Sequence, residues 1–280
     1  MITDEPFELS KSHVRDYYDR VAETWDATHG AESNNPYFER QLEDCLKLLI
    51  AKSAGKSLAV ELGAGTGPYL NISAPMFEKL IATDISSGML TMLKTRIARL
   101  GLENVIVLQQ DAYDLCAIES ASVDFVYSVG LLETITDFYR LFAEIYRVLK
   151  PSGTLAGITS NGNCPWYVLR KIIEGGERHG RTGRLATARG LKDVLQQVGF
   201  TSPEITYWGA VRPQMRSRPL IAGLMAAEQL IARTRAIRYL GVLSFLSRKK
   251  SVVPSLDAQA LGCLYTLPRR RADLPHQQCR

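Results

Sequence analysis

Residues 60–67, Val60-Glu61-Leu62-Gly63-Ala64-Gly65-Thr66-Gly67, form the most informative pattern in the chain. The apolar start ends a predicted β-strand, and alternating glycines then let the backbone turn sharply and approach a ligand that a Cβ atom would keep away. The next apolar run, 78–83, is followed by a lone acid, Asp84. A carboxylate about 20 residues after such a loop can accept hydrogen bonds from ribose hydroxyls. The two features together predict an adenosine-binding site.

The glycine spacing distinguishes between adenosine cofactors. A dinucleotide-binding loop would place its third glycine at position 68, where this chain has Pro68, and this argues against NAD. Three alternating glycines with an acid two positions before the first, as Glu61 precedes Gly63, instead resemble motif I of the class I S-adenosylmethionine (SAM) methyltransferases.

Four further segments resemble that family's later motifs and follow them in the same order. They are Ile81 to Leu90, Gln110-Asp111-Ala112 with Leu115, Ser122 to Ser128, and Arg147 to Thr154. The resemblance extends over roughly residues 10 to 210 and is nearest to the ubiquinone and menaquinone type of small-molecule methyltransferase. It implies SAM as cofactor and a Rossmann-like α/β fold with a seven-stranded, mostly parallel sheet.

Strand and helix patterns alternate along the chain, which predicts a parallel sheet with helices on both faces. The predicted strands are 57–62, 78–83, 104–108, 123–128, 153–159, 203–208 and a last strand at 260–267. The predicted helices include 10–28, 36–53, 136–149 and 187–198. We divide the chain into N-terminal helices that cover the cofactor site (1–54), the SAM-binding core (55–210), a helical insert (211–250), and a last strand with a basic tail (251–280).

The resemblance implies a role for individual residues around the cofactor. The loop residues Glu61, Gly63, Ala64, Gly65 and Gly67 would follow the methionine and ribose portion, and Asp84 would bind the ribose hydroxyls. Asp111 and the Ala112 N–H would meet the adenine edge, Ile85 and Met89 would enclose its ring, Ser128 would line the cleft near the sulfonium, and Tyr18 would close over the cofactor.

Three of these assignments have a structural alternative. Asp111 can be a turn acid at the end of a strand, and Met89 can be a core residue. Tyr18 and Trp25, seven positions apart, can form one buried helical stripe.

The catalytic base is open at this level. Many methyltransferases of this type have a histidine after the fourth strand, where this chain has Leu131-Leu132-Glu133. Glu133 is therefore the nearest candidate base, and the alternative is that it only caps the following helix. His179, in the variable segment before the sixth strand, is the second candidate, against the alternative of a solvated loop histidine.

Composition is that of a single domain with additions, 280 residues long. The five cysteines are odd in number and widely spaced, and they form no metal-binding pattern with the four histidines. We therefore expect reduced thiols and no metal. The acid pair Asp4-Glu5 does not fit a secretory signal, and we expect a cytoplasmic location.

Positive charge is concentrated in the last quarter of the chain. Residues 205–280 carry thirteen Lys or Arg and three acids, a balance of +10 against +5 for the whole chain. Within 211–250 the arginines alternate with large apolar residues, a mixture typical of amphipathic helices. Packing on the domain, a homodimer, or peripheral membrane contact are the three hypotheses for this segment. Its charge-free stretch 219–227 is too short to span a bilayer.

These observations predict a methyltransferase for a small, apolar acceptor, either a lipid, a quinone-like molecule or a natural product. A non-catalytic SAM-binding module is one alternative. An RNA methyltransferase that uses the basic last quarter is another, although Ser128-Val129-Gly130-Leu131 differs from the Asn- or Asp-Pro-Pro-aromatic motif of enzymes that methylate flipped bases. No DNA partner is expected.

Overall fold

A computed structural model describes residues 11–28, 35–53, 57–167, 185–211 and 215–251 of the chain. Its centre is a seven-stranded sheet in the order β3-β2-β1-β4-β5-β7-β6. The strands are β1 (Leu58–Leu62), β2 (Lys79–Asp84), β3 (Val105–Gln109), β4 (Val123–Val129), β5 (Leu149–Ser160), β6 (Glu204–Trp208) and β7 (Val242–Arg248). The strands β1 to β5 pair in parallel, and β7 runs antiparallel to both β5 and β6. The Rossmann-like, mostly parallel fold is confirmed.

Helices occupy most of the described connections. They are α1 (Lys11–Val21), α2 (Trp25–Thr28), α3 (Pro36–Ala51), α4 (Leu70–Ser73), α5 (Ser87–Leu100), α6 (Phe138–Val148), α7 (Ala188–Val198) and α8 (Arg218–Ile231). Short 3-10 turns lie at Ala22–Thr24, Ala74–Met76, Leu132–Thr134 and Arg235–Tyr239. None of the described helices combines the length and the apolar character that crossing a bilayer requires.

The helix that follows β2 begins and ends at residues with clear chemical reasons. The Ser86 side chain accepts a hydrogen bond from the Met89 backbone N–H and so caps α5. Gly101 ends the helix in the left-handed conformation, φ 63°. These local signals fix the ends of α5, and its N-cap, Ser86, lies two residues after Asp84, the last residue of β2.

The core has two layers, one on each face of the sheet. Leu46 of α3 and Leu93 of α5 pack against one face, whereas Phe142 of α6 and Leu195 of α7 pack against the other. Adjacent strand residues alternate between these layers, and the buried strands are therefore apolar on both faces.

Strand order places a crevice at one edge of the sheet. The chain runs from β1 outward to β3 and then returns to β4 on the other side of β1. Ligands of such sheets bind at this reversal, beyond the carboxyl ends of the strands. The connection from β6 to β7 also lies at this edge, since Trp208 and Ser160 both pair with Val242.

The seventh strand, Val242–Arg248, falls inside the segment that the sequence analysis assigned to the helical insert. Leu240, Leu243 and Leu246 are three residues apart and therefore resembled a helical face. In the structure every residue from 242 to 247 is buried, as a strand packed on both faces requires. The helical part of the insert thus ends before residue 242, and 260–267, the expected last strand, lies outside the described residues.

Candidate active site

The glycine loop after β1 adopts the left-handed conformation at each of its glycines, with φ of 66° at Gly63, 56° at Gly65 and 73° at Gly67. A Cβ atom at Gly67 would overlap Leu93 Cδ1 and lie 2.9 Å from Leu70 Cδ1. A Cβ atom at Gly65 would meet nothing within 4 Å. Gly67 therefore serves internal packing, whereas the backbone at Gly65 faces open space. The Ala64 N–H donates to Thr83 O at 2.9 Å and ties the loop to β2.

Asp84, at the carboxyl end of β2, holds the same loop. Its Oδ2 accepts the Gly65 N–H at 2.9 Å, and its Oδ1 accepts the Ser86 N–H at 2.9 Å. Burial raises the pKa of this carboxyl above its ordinary value, and the two N–H donors oppose that shift. A carboxylate has about four lone-pair sites, so each oxygen keeps capacity for one more donor. The arrangement fits the two hydroxyls of a ribose placed beside the open face of Gly65.

Glu61 is buried beneath the loop, with 3% of its surface exposed. Burial raises its pKa to about 7; the nearby Asp84 charge acts in the same direction, and a hydrogen bond from Tyr127 opposes it. The Tyr127 hydroxyl donates to Glu61 Oε2 at 2.9 Å. Glu61 therefore anchors the end of β1 to β4. The sequence analysis did not identify Tyr127 as the partner of Glu61. The one indication in the sequence is a residue with a hydroxyl group within an otherwise apolar strand.

The N-terminal helices dock on both segments that are predicted to bind the cofactor. Asp19 of α1 accepts hydrogen bonds from Ser86 Oγ at 2.6 Å and from the Gly88 N–H at 2.8 Å. Partial burial opposes ionisation of Asp19, but these hydrogen bonds hold its pKa below the ordinary value.

A second contact joins α2 to the glycine loop. Asp26 accepts from Thr66 Oγ1 at 2.6 Å and forms an ion pair with Arg96 of α5. The Arg96 Nε also donates to Thr66 O at 3.0 Å. We name Asp26, Thr66 and Arg96 the latch. Neither Asp19 nor the latch was identified from the sequence.

The predicted adenine residues lie together after β2 and β3. The Asp111 carboxylate accepts the Tyr113 N–H at 2.9 Å, as the turn-acid alternative predicts, and this bond leaves further acceptor capacity for an amino group. Ile85 and Ala112 are partly exposed. Met89 is only 1% exposed, which favours its core alternative.

Tyr18 is half-buried in α1. Its ring packs edge-on against Trp25, with centroids 5.4 Å apart, as the buried-stripe alternative predicts. Closure of Tyr18 over the cofactor stays a prediction. Its position is compatible with that role, because Asp19 of the same helix bonds to Ser86 and Gly88, shortly after Asp84.

Ser128 and Glu133 lie near the end of β4 and in the following 3-10 turn, across β1 from Asp84, and both are buried. We expect the acceptor on this side of the crevice and call it the acceptor side. Glu133 Oε1 accepts the Ser160 N–H at 2.8 Å and so joins this turn to the end of β5. Glu133 does not cap the following helix, because the α6 cap is Asp137, which accepts the Arg140 N–H. The role of Glu133 as a base stays a prediction, and His179 lies outside the described residues.

Asn161, directly after β5, joins the acceptor side to the insert. It is fully buried, and its Nδ2 donates to both Arg238 O and Leu240 O at 2.8 Å. Its Oδ1 accepts the Asn163 N–H at 3.1 Å. The sequence contains a hint of this role, an amide directly after a long apolar strand, but its partners are about 80 residues away.

The insert is also fastened at its base. Glu228 of α8 accepts from the Ala210 N–H at 3.0 Å and from Gln41 Nε2 at 3.1 Å. Asn35 Nδ2, before α3, donates to Met215 O at 2.7 Å. The insert is thus fixed to the N-terminal helices at the cofactor edge of the sheet. In the described part of the chain, no group of three or more His, Cys, Asp or Glu side chains could hold a metal ion.

Comparison with known proteins agrees with this geometry. Residues 60–157 match the family model described as "Methyltransferase domain". The chain is 29% identical over 242 residues to a malonyl-[acyl-carrier protein] O-methyltransferase of Methylovorus sp.. The match covers 81% of this chain and 78% of that protein. It is also 29% identical over 152 residues to a demethylmenaquinone methyltransferase of Symbiobacterium thermophilum, covering 52% of this chain and 58% of that protein.

A solved structure shows the same fold. Phosphoethanolamine N-methyltransferase 2 of Haemonchus contortus, in complex with S-adenosyl-L-methionine, superposes with a TM-score of 0.60 at 18% identity. The match covers 85% of this chain and 60% of the other.

Proposed function

We propose that this chain is a class I SAM-dependent methyltransferase, which its match to the methyltransferase family model over residues 60–157 and its curated relatives support, and that it transfers the methyl group of SAM to a small, apolar acceptor. The acceptor class is a lipid, a quinone-like molecule or a natural product. One observation carries this choice: the apolar insert leaves the sheet at the same edge as the glycine loop and is fastened there by Asn161 and Glu228. The relatives named above, for malonyl-[acyl-carrier protein] and demethylmenaquinone, support an acceptor that is not a nucleic acid.

The chain's own residues mainly hold and orient the reactants. SAM supplies an activated methyl group on a sulfonium, so that no covalent enzyme intermediate is required. Alignment of acceptor and methyl group can lower the barrier by about 7 to 11 kcal/mol. In this proposal Gly65 and Asp84 hold the ribose, and the helices docked by Asp19 and the latch exclude water.

The acceptor side supplies fewer charged groups. Glu133 is the proposed base where the acceptor must lose a proton, because it lies between the ends of β4 and β5. His179 stays the second proposed base. Asp111 and Ala112 are proposed to contact adenine, with Ile85 beside its ring.

The proposal includes the domain organisation and the location. Residues 1–54 cover the cofactor site, 55–210 bind SAM, and the segment from 211 to 241 shapes the acceptor cavity. Among the described residues, Cys45, Cys116 and Cys164 form no disulfide, in keeping with the proposed reducing, cytoplasmic location.

Titration calorimetry with SAM and with its demethylated product tests the cofactor half of the proposal. We expect Asp84→Asn to weaken binding by about 100-fold, because the substitution removes the charge and one acceptor oxygen. Asp114→Ala, which removes an exposed acid from the neighbouring turn, is the matched control and should bind normally. Equal affinities for wild type and Asp84→Asn would contradict the assigned ribose contact.

Turnover of methyl-labelled SAM tests the acceptor half. Lipid extract and total RNA are offered separately, and we expect label in the lipid extract alone. Label on RNA would support the RNA methyltransferase alternative. SAM binding without transfer to either fraction would support the non-catalytic module.

A further inference from the structure

Helix α8 is apolar on both of its faces. Its inward face carries Ile221, Leu224, Met225 and Ile231, which are half-buried. Its outward face is mostly small or apolar, and the exposed residues of this kind are Pro219, Leu220, Ala222, Gly223, Ala226, Ala227 and Leu230. Gln229 is an exposed, uncharged polar residue on the same face. Leu220 is 50% exposed and Leu230 is 77% exposed. A helix with apolar residues all round is normally covered, and among the described residues nothing buries this outward face.

The contacts of Glu228 hold this face outward. Its carboxylate accepts from the Gly209 N–H, the Ala210 N–H and Gln41 Nε2. Glu228 is also the single acidic residue between positions 205 and 256 of the sequence. No carboxylate therefore interrupts the outward face of α8.

Arginines flank the helix at both ends. Arg216 and Arg218 lie at its start, and Arg233, Arg235 and Arg238 follow its end. All of them are exposed. The surface formed by the outward face of α8 and these five arginines, which we call the α8 surface, is apolar at its centre and positive at its ends.

Charge distinguishes between the partners that could cover this surface. A second copy of the chain would bring the same arginines against each other. Residues 252–280 are also net positive, with four arginines and two aspartates. An anionic lipid surface offers both an apolar interior and negative headgroups, and about 1 kcal/mol is gained for each basic residue near such a surface.

We propose that the α8 surface docks on membranes that contain anionic lipid. The outward face of α8 enters the boundary between headgroups and acyl chains, and the arginines contact lipid phosphates. Because Asn161, directly after β5, bonds to the Arg238 and Leu240 carbonyls of the insert, docking would place the mouth of the cleft near the membrane. This last consequence rests on the proposed apolar acceptor, whereas docking itself does not.

Vesicle flotation with the full chain tests the proposal without SAM or acceptor, and its failure would leave the methyl-transfer test unaffected. Phosphatidylcholine vesicles are compared with vesicles that also contain phosphatidylglycerol. We expect retention on the mixed vesicles, weak retention on phosphatidylcholine alone, and loss of retention at high salt. Equal retention on both kinds of vesicle, or none on either, would overturn the proposal.

Variants locate the contact. The double variant Leu220→Glu/Leu230→Glu should reduce retention by at least about tenfold, because it places two charges in the apolar face. Leu48→Glu is the matched control, since Leu48 is 56% exposed on α3, and it should bind like wild type. Arg233→Ser and Arg235→Ser should each reduce retention by about fivefold on mixed vesicles.

Two further outcomes would assign the α8 surface to another partner and overturn the proposal. One is a dimer in light scattering that dissociates in the Leu220→Glu/Leu230→Glu variant. The other is a chain ending at Ser251 that floats with mixed vesicles when the full chain does not, which would assign the surface to residues 252–280.

Discussion

The cofactor side and the acceptor side of the cleft are held together in different ways. On the cofactor side, Asp84 receives backbone N–H groups from Gly65 and Ser86, which are 19 and two residues away. On the acceptor side, Asn161 bonds to carbonyls 77 and 79 residues away, and Glu133 bonds across 27 residues. The hydrogen bonds of Asp84 are formed within one β-α-β unit, whereas Asp19 and the latch add longer-range contacts from the N-terminal helices. The acceptor side instead depends on the insert, and we therefore expect that a change of insert can change the acceptor without disturbing cofactor binding.

The glycines of the loop give the largest expected contrast. Gly67→Ala should lower the free energy of unfolding by about 3 kcal/mol or more, because the new Cβ overlaps Leu93 at a positive φ. Gly65→Ala should cost only about 1 kcal/mol of stability, yet weaken SAM binding by about 100-fold, because its Cβ enters the space assigned to the ligand. Denaturant unfolding and calorimetry measure the two effects. Equal effects of both substitutions on stability and affinity would remove the distinction between packing and ligand glycines.

Asn161→Ala should separate the two sides of the cleft. The change leaves the carbonyls of Arg238 and Leu240 without this donor and should lower the free energy of unfolding by about 2 to 3 kcal/mol. The KM for the acceptor should rise, whereas the Kd for SAM should stay within about twofold of the wild-type value, because Asn161 lies outside the cofactor side of the cleft. Asn163→Ala, an exposed amide two residues on, is the control. A matching rise in the Kd for SAM would show that the two sides are not independent.

Glu61 predicts a pH dependence on the cofactor side. Its folded pKa of about 7 lies above the ordinary 4.5, so between these values the folded carboxyl keeps a proton that the unfolded one has lost. The free energy of unfolding should therefore fall as pH rises from 4.5 to 7, by up to about 3 kcal/mol. Glu61→Gln keeps an acceptor for Tyr127 and should lack this component. Denaturant midpoints measured across the range in both proteins check it, and parallel curves would contradict the assignment.

The latch should give the smallest effect. Asp26→Ala removes the partner of Thr66 and Arg96, so that α2 docks less firmly on the glycine loop. We therefore expect SAM to bind about tenfold more weakly, mainly through faster dissociation. Asp16→Ala, at an exposed residue of α1, should leave dissociation unchanged. Stopped-flow displacement of the cofactor measures the rate. An unchanged rate in Asp26→Ala would show that α2 does not control exchange.

The sequence separation between contacting residues explains which features the sequence predicts. The loop, Asp84 and the positions of the first six strands follow from local patterns within a few tens of residues. Asp19, the latch and Asn161 pair residues 30 to 79 positions apart, and no local pattern identifies such partners before the fold is known. The position of β7 was misassigned because a strand buried on both faces shows no alternation, and its leucines happened to have helical spacing.

The antiparallel course of β7 determines where the described chain leaves the sheet. Arg248 pairs with Thr154, which lies beside Phe125 near the start of β4, and Lys249 pairs with Phe200, so that Ser251 lies at the edge opposite the crevice. A fluorophore or a surface tether attached at Ser251 would thus stand away from the entrance used by cofactor and acceptor. Immobilised through this position, the protein would present its reactive edge freely, which suits it to sensor measurements of both ligands.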